Sequence, residues 1–339
     1  METTWAGMAS VMPSSIPRNT AHWHTLMSIE IVRYDSSMKD VWDRFIGSSK
    51  NGVFLFNRGY MDYHADRFTD HSLIFSDDNE PVAVLPMNKD GSAFVSHGGL
   101  TFGGIVSNHR MRTAKMLEIV GLLKTYLRQQ GGEALIYKAI PHIYAVLPSE
   151  EDLYALVYHG AVLTRRDVSS TILQKEKVPF SKGRRWLMAR ARKNGLKVDK
   201  TNDYETFMSI EERNLLTRHG VKPVHSAREI TLLAETFPDN IKLFGSFREE
   251  TMLGGVIVYE SQNVAHTQYI AVTDEGREIG ASDIIIDYLV SEYYHDKPYF
   301  DFGISTEDQG RFLNKGLIEF KEGFGARATV YDFYTLPLH

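Results

Sequence analysis

The sequence predicts a duplicated α/β protein, and three observations carry that expectation. The order helix, hairpin, strand, helix, strand can be read twice along the chain; helical stripes in both halves stop at glycine; and a strongly basic segment separates the two readings. A chain of 339 residues is also long for one core, and length alone implies about two domains.

Residues 28–174 are the expected first domain. "SIEIVRY" reads as a strand, and "SSMKDVWDRFIG" as a helix with Ser37 as N-cap and Val41 and Phe45 on one face. "SLIFSDDNEPVAVLPM" is two strands about a polar turn, and "AFVSHGGLTFGGIV" is another strand. In "TAKMLEIVGLLKTYLRQQGG", Met116, Ile119, Val120, Leu123 and Leu127 fall on one helical stripe that stops at glycine. "EALIYKAI" returns to a strand.

Residues 201–339 repeat the order as the second domain. "YETFMSIEERNLLTRHG" is helical with Gly220 as its stop, and "SAREITLLAETF" opens with a capping box, Ser226 with Glu229. "IKLFGSFREETMLGGVIVYE" is a hairpin, "NVAHTQYIAVT" a strand, and "ASDIIIDYLVSEYY" a helix whose buried stripe is Ile286, Leu289, Val290 and Tyr293. "PYFDFGI" is the last strand of the repeat. Mixed sheets flanked by helices, with a cleft between two related domains, are the expected architecture.

Composition narrows the functional classes. With 43% hydrophobic and 24% charged residues the chain folds as a soluble protein, and it holds no apolar run of about 18 residues that could span a membrane. Residues 1–27 read as a loose tail, with no Lys or Arg before Arg18 and no apolar block, so they lack the pattern of a secretory signal and the expected location is cytoplasmic. The absence of cysteine excludes disulfides, thiolate metal sites and a cysteine nucleophile. The 13 histidines form no H-x-x-x-H pair, and no G-x-S-x-G elbow is present, so no metal site is expected and a classical serine hydrolase is disfavoured.

Charge is uneven. Residues 175–200 carry ten Lys or Arg against Glu176 and Asp199, a local +8 that leaves −13 for the rest of the chain. Such a connecting segment fits a phosphate-rich partner or a solvated helix face between domains. In "AVTDEGREIGASDIII", Arg277, Gly280, Ala281 and Ser282 stand before a helix N-terminus, where unpaired N–H groups and the helix dipole favour an anion such as a diphosphate.

That element order, with "REIGAS" where an Arg-x-x-Gly-x-Gly/Ala pyrophosphate loop would stand, resembles the GNAT acetyltransferase superfamily. The duplication and the blocks "ARKNGLKV", "RHGVKPVH", "ASDIIIDYLV", "YFDFGIS" and "GLIEFKEGFGA" resemble the tandem-GNAT, Fem-type acyl and aminoacyl transferases. "YMDYHADRFTDHSL" and "SHGGLTFGGIV" are similar to members associated with cell-surface polysaccharide biosynthesis. The resemblance covers roughly residues 28–335, and its most specific part is "FKEGFG". Ser282 stands where the loop pattern has Gly or Ala.

What the resemblance implies is an N-acyltransferase. Lys321, the lysine of the Phe-Lys-x-x-Phe-Gly block, would stabilise an oxyanion or phosphate, set one position aside from the apolar face of Leu317, Phe320 and Phe324. Asp301 would be the base or align the acceptor, unless water relays the proton and no dedicated base exists. Arg277, Gly280, Ala281 and Ser282 would hold the donor's phosphates. Tyr63, His64, Arg67 and His97 would bind the acceptor. The implied co-substrate is acyl-CoA, with no tightly bound cofactor, and the implied acceptor is an amine of an amino sugar, free or nucleotide-linked, or of a peptide in the cell envelope. Two alternatives stay open: an aminoacyl-tRNA-dependent Fem-type transferase, which the basic segment would favour, and a non-catalytic binding scaffold.

Overall fold

The structure, a computed structural model, describes residues 29–64 and 66–339, except for the side chains of His64, Arg218 and His219. The tail expected over residues 1–27 lies outside the described residues.

In the first half the chain forms β1 (Glu30–Arg33), α1 (Lys39–Ser48), α2 (Arg58–Met61), β2 (Thr69–Asp70), β3 (Leu73–Asp77) and β4 (Glu80–Leu85). There follow β5 (Asn88–Asp90), β6 (Ala93–Val95), β7 (Val106–Ser107), α3 (Thr113–Gln129), β8 (Ala134–Lys138), α4 (Glu151–Tyr158) and β9 (Val162–Leu173). The second half begins with α5 (Lys182–Lys193), β10 (Lys197–Thr201), α6 (Tyr204–His219), α7 (Ala227–Thr236), β11 (Ile241–Arg248), β12 (Thr251–Glu260) and β13 (Val264–Val272). It ends with α8 (Asp274–Ile279), α9 (Ala281–Tyr288), β14 (Tyr299–Ile304), β15 (Thr306–Glu307), β16 (Phe312–Leu313), α10 (Lys315–Glu322) and β17 (Arg327–Pro337).

Eleven strands make one sheet in the order β10-β11-β12-β13-β14-β9-β17-β8-β6-β5-β2, beside a four-stranded sheet β1-β3-β4-β7. The large sheet reads nearly the same from either end toward its centre. β13 and β14 are parallel, as are β6 and β8, and the crossovers between them carry α8–α9 and α3. At the centre the halves exchange strands: β9, which ends the first half, pairs with β14 of the second, and β17, which ends the second, pairs with β8 of the first. β9 and β17 pair with each other from Arg327↔Thr171 to Thr335↔Val162. An apolar cluster then joins the halves across the sheet, with Phe54 of the first packed on Phe237 and Tyr259 of the second at centroid distances of 5.5 and 5.4 Å.

Local sequence signals account for much of this. The α3 stripe is buried at all five expected positions. Gly220 takes the left-handed conformation after α6, and the Ser226–Glu229 capping box is complete at the start of α7.

Four expectations are corrected. Asp35, not Ser37, caps the turn that leads into α1, and Val41 is exposed while Trp42, Phe45 and Ile46 face the core. The expected strand over 93–106 is two short strands with a loop between, because Gly103 packs where a Cβ would lie 2.0 Å from the Ser96 carbonyl oxygen. After α9 the helix widens into a π-turn over Leu289–Tyr293, closed by Tyr294 N–H donating to Leu289 O at 2.8 Å. The extra residue rotates the stripe by one position, so Tyr294 is buried and Tyr293 is partly exposed. In α10, Phe324 and Phe320 pack inward as expected, but Leu317 is exposed and Lys321 is buried in its place.

Candidate functional site

The second-half fork is built by β13 and β14. They pair only over Val264↔Tyr299, Ala265↔Phe300 and His266↔Asp301, and then part, although β13 runs on to Val272 and β14 to Ile304. β13 also bulges at Gln268, the residue skipped between the pairs Ile257↔Tyr269 and Val258↔Thr267. Parting strands leave a wedge in the sheet, and a cavity of about 750 Å³ lies on it. Ile270 and Val272 of β13, Arg277 of α8, Ser282 of α9, Arg184 of α5 and Phe320 of α10 line it. An apolar wall with a few charged groups is what a small-molecule site requires.

The expected phosphate loop is partly helical: Arg277 lies in α8, and Gly280 at φ +86° ends α8 and starts α9. Glycine is required there by packing as well as by φ, since a Cβ would lie 2.5 Å from Leu187 O of α5. Ala281 is fully buried, whereas Arg277 and Ser282 reach the cavity. Asp283 and Glu211 are the acids on the cavity wall. Asp283 is buried, which raises its pKa, and the Arg184 guanidinium 2.9 Å away opposes that rise. Arg184 also lies over the Phe320 ring at 4.6 Å, so it is held in place from two sides.

Lys321 points inward from α10. Its Nζ donates to Gly303 O at 2.9 Å and Ile304 O at 2.7 Å, carbonyls at the end of β14. Burial pushes its pKa down to about 8, while the Asp301 carboxylate favours the charged form. Asn314 caps the helix that presents it, accepting from Leu317 N–H at 3.0 Å.

Asp301 has no exposed surface. Its Oδ1 accepts from Ser169 at 2.6 Å and Thr171 at 2.7 Å, and its Oδ2 from His266 Nδ1 at 2.7 Å, Tyr331 O–H at 2.9 Å and Gly303 N–H at 3.3 Å. Burial would raise its pKa, but the His266 bond and charge and the two hydroxyls outweigh that and hold it below the ordinary carboxylate value. A sealed carboxylate with its lone pairs taken makes a poor proton acceptor for a substrate. For the expected role of Asp301 as base or in aligning the acceptor no lone pair is left open; its Oδ2 holds His266 Nδ1 instead.

Of the expected acceptor residues, Tyr63 and Arg67 come together, and His97 sits on a different loop, after β6. Tyr63 and Arg67 converge on Glu229 of α7, with Arg67 2.8 Å from its carboxylate. Burial would raise the Glu229 pKa, yet bonds from Ser226, Tyr63 and Arg67 bring it to about 2, so the cluster is an ion pair tying the halves. Burial and the Glu229 bond push the Tyr63 hydroxyl up to about 12. His64 lies in the short turn after α2, and its side chain is outside the described residues. His97 is buried at φ +51°, and its carbonyl accepts from Lys138 at 3.0 Å. The Phe68 ring, not a ligand, covers Gly98 and Gly99, where a Cβ would meet it at 3.0 and 2.5 Å.

A second cavity of about 370 Å³ does open beside this loop, lined among others by Gly98, Thr101, Lys138, Arg165, Tyr331 and Ile304. Ile304 connects the sites: it lines the second cavity, and its carbonyl is held by Lys321, whose neighbour Phe320 lines the first.

Sequence reasoning missed His266 and Lys138. Neither stands in a motif. The usable signal was positional, since each lies on one of the two strands flanking a crossover helix, where a parallel pair forks.

Among the described residues no helix is long and apolar enough to cross a membrane, and no group of three or more acidic or histidine side chains could hold a metal. Residues Lys177, Arg184 and Arg192 of the basic segment are tied to Val290 O, Asp283 and Asp287, while Lys182, Arg185, Arg190 and Lys193 stay exposed.

No protein-family model and no curated protein matches the sequence. Solved structures do. FemX aligns with 89% of this chain and 96% of its own at 12% identity and a TM-score of 0.63. L-PGS of Bacillus licheniformis aligns over 91% and 93% at 12% identity and 0.58. A tandem GNAT protein from the clavulanic acid biosynthesis pathway aligns over 92% and 99% at 12% identity and 0.50.

Proposed function

We propose, taking the GNAT-like, Fem-type tandem fold as the premise, that this chain is an acyltransferase. It moves an acyl group from acyl-CoA, or a similar activated donor, to the amine of an amino sugar or peptide used in cell-envelope polysaccharide biosynthesis, and works in the cytoplasm. The observation that carries the reading is the fork cavity of about 750 Å³, with Arg184 and Arg277 on its wall and the start of α9 at its edge. The donor's phosphates lie against Arg277 and the first turn of α9, with its acyl arm along Ile270 and Val272. The acceptor enters by the cavity that Lys138 and Thr101 line.

Attack of an amine on the acyl carbonyl makes an oxyanion. Lys321 holds the strand-end carbonyls of Gly303 and Ile304, the latter a residue of the second cavity's wall, and these use two of its three N–H bonds. No third partner of its ammonium occurs among the described residues. The third N–H stabilises the oxyanion in a water-poor setting, where such a bond is worth more than in bulk water.

One observation favours a second reading, the aminoacyl-tRNA-dependent transferase: α5 presents an exposed basic face with Trp186 59% exposed and Arg190 over its ring at 5.3 Å. Such a face suits a phosphate backbone with an unstacked base. Thermal shift with acetyl-CoA, longer acyl-CoAs, UDP-linked amino sugars and charged tRNA separates the readings. A Tm rise with an acyl-CoA supports the first, and a rise with charged tRNA alone supports the second. A rise with the sugar nucleotide alone, without product, points to a binding scaffold.

A further inference from the structure

We infer that His266 is the general base of this site and that Asp301 is its positioning residue, an assignment that rests on the transferase reading above. The juxtaposition is at Gly303. Its carbonyl is held by Lys321 at 2.9 Å. On its other side, the position a Cβ would occupy lies 3.2 Å from His266 Cε1 and 3.7 Å from His266 Nε2. A residue without a side chain, at φ +74°, thus lets the strand end that Lys321 holds lie directly against the Cε1–Nε2 edge of the imidazole.

The tautomer follows from the partner. Asp301 is an ionised carboxylate and can only accept, so Nδ1 of His266 carries a hydrogen, and in the neutral ring the lone pair is on Nε2. The pair is fixed by sheet register: His266 and Asp301 are the last paired residues before the strands fork. The ring is not sealed like the carboxylate. Its side chain keeps 11% of its surface and borders a small chamber with Thr101 and Tyr144, and Thr101 also lines the acceptor-side cavity. Charged and titratable groups facing the dyad are Lys321 from α10, Tyr331 from β17, Tyr144 from the first half and Tyr259 from β12.

The step balances without a further reagent. The acceptor ammonium gives one proton to Nε2, and the freed amine attacks the acyl carbon of the thioester. The C–N bond forms, the C–S bond breaks, and the nitrogen's second proton leaves with the thiolate as free thiol. The imidazolium returns its proton to solvent.

Two measurements decide it. In wild-type protein labelled with ¹⁵N-histidine, the neutral His266 ring is expected to show the Nδ1–H tautomer; a neutral ring with Nε2–H overturns the assignment whatever the reaction. In transfer assays with acetyl-CoA and an amino-sugar panel, His266→Gln is expected to lower kcat about 100-fold or more and to abolish the acidic limb of the pH profile, with the acetyl-CoA-induced Tm shift retained. Asp301→Asn is expected to move that limb and not to erase it. A His266→Gln enzyme with wild-type kcat and an unchanged acidic limb overturns the inference alone. No transfer by the wild type overturns the transferase reading and the inference with it.

Discussion

The two forks of the sheet share a plan and differ in what fills them. In the first half β6 and β8 pair over three residues and part after Val95↔Ile136, as β13 and β14 part after His266↔Asp301. Each fork has a buried lysine that donates to freed strand-end or loop carbonyls: Lys138 to His97, Gly98 and Leu100, and Lys321 to Gly303 and Ile304. Burial pushes both down to about 8. The first fork, however, is largely filled by its own 96–105 loop under Phe68 and opens on the cavity of about 370 Å³, while the second opens on the cavity of about 750 Å³ and carries the His266–Asp301 dyad. Under the proposed function, one frame used twice serves as a supporting fork and a reacting fork.

Lys321→Ala against Lys138→Met is the largest expected contrast. Removing the oxyanion donor should lower kcat about 100-fold or more, and it also leaves the Gly303 and Ile304 carbonyls without their donor, so its Tm should fall as well. Removing Lys138 leaves buried carbonyls without their donor, costing about 1–3 kcal/mol, and should lower Tm and raise the acceptor KM with kcat little changed. Steady-state kinetics beside thermal melts check this, and equal losses of kcat would erase the distinction between forks.

Alkaline pH should act on the same residue. The transfer rate that depends on the Lys321 ammonium falls as pH rises through about 8, because its folded pKa lies below the ordinary 10.5. The linked stability has the opposite sense: the buried charge is unfavourable below about 8, and that penalty is released between about 8 and 10.5. A kcat profile flat from pH 7 to 10 would contradict the assignment.

Gly280→Ala should cost more than Gly160→Ala. At Gly160, φ is +94° with open space around it, so only backbone strain of about 1 kcal/mol applies. At Gly280 the same strain is joined by a 2.5 Å clash with Leu187 O, and the Tm should fall by several degrees more. Smallest of all, Arg67→Ala removes an exposed ion pair and should cost less than about 1 kcal/mol; a large rise in acceptor KM would restore Arg67 to the acceptor site.

What could be read from sequence was local. The α3 stripe, the Gly220 stop, the Ser226–Glu229 box and the repeated element order depend on neighbours within a few residues. The strand exchange through β9 and β17 depends on pairing between residues about 160 apart, which no local pattern encodes. Tyr293 was misplaced because a single π-turn shifts the helical phase. Lys321 was located by its motif, but its inward direction is set by carbonyls 17 and 18 residues earlier. His266 was passed over because its partner lies 35 residues on, across a crossover.

Hydrogen–deuterium exchange with and without acetyl-CoA tests most directly whether the second fork is where the donor sits. Protection over residues 268–284 and 312–322, with the 93–112 segment unchanged, is the expected result. Protection confined to the first fork, or none anywhere, would contradict it.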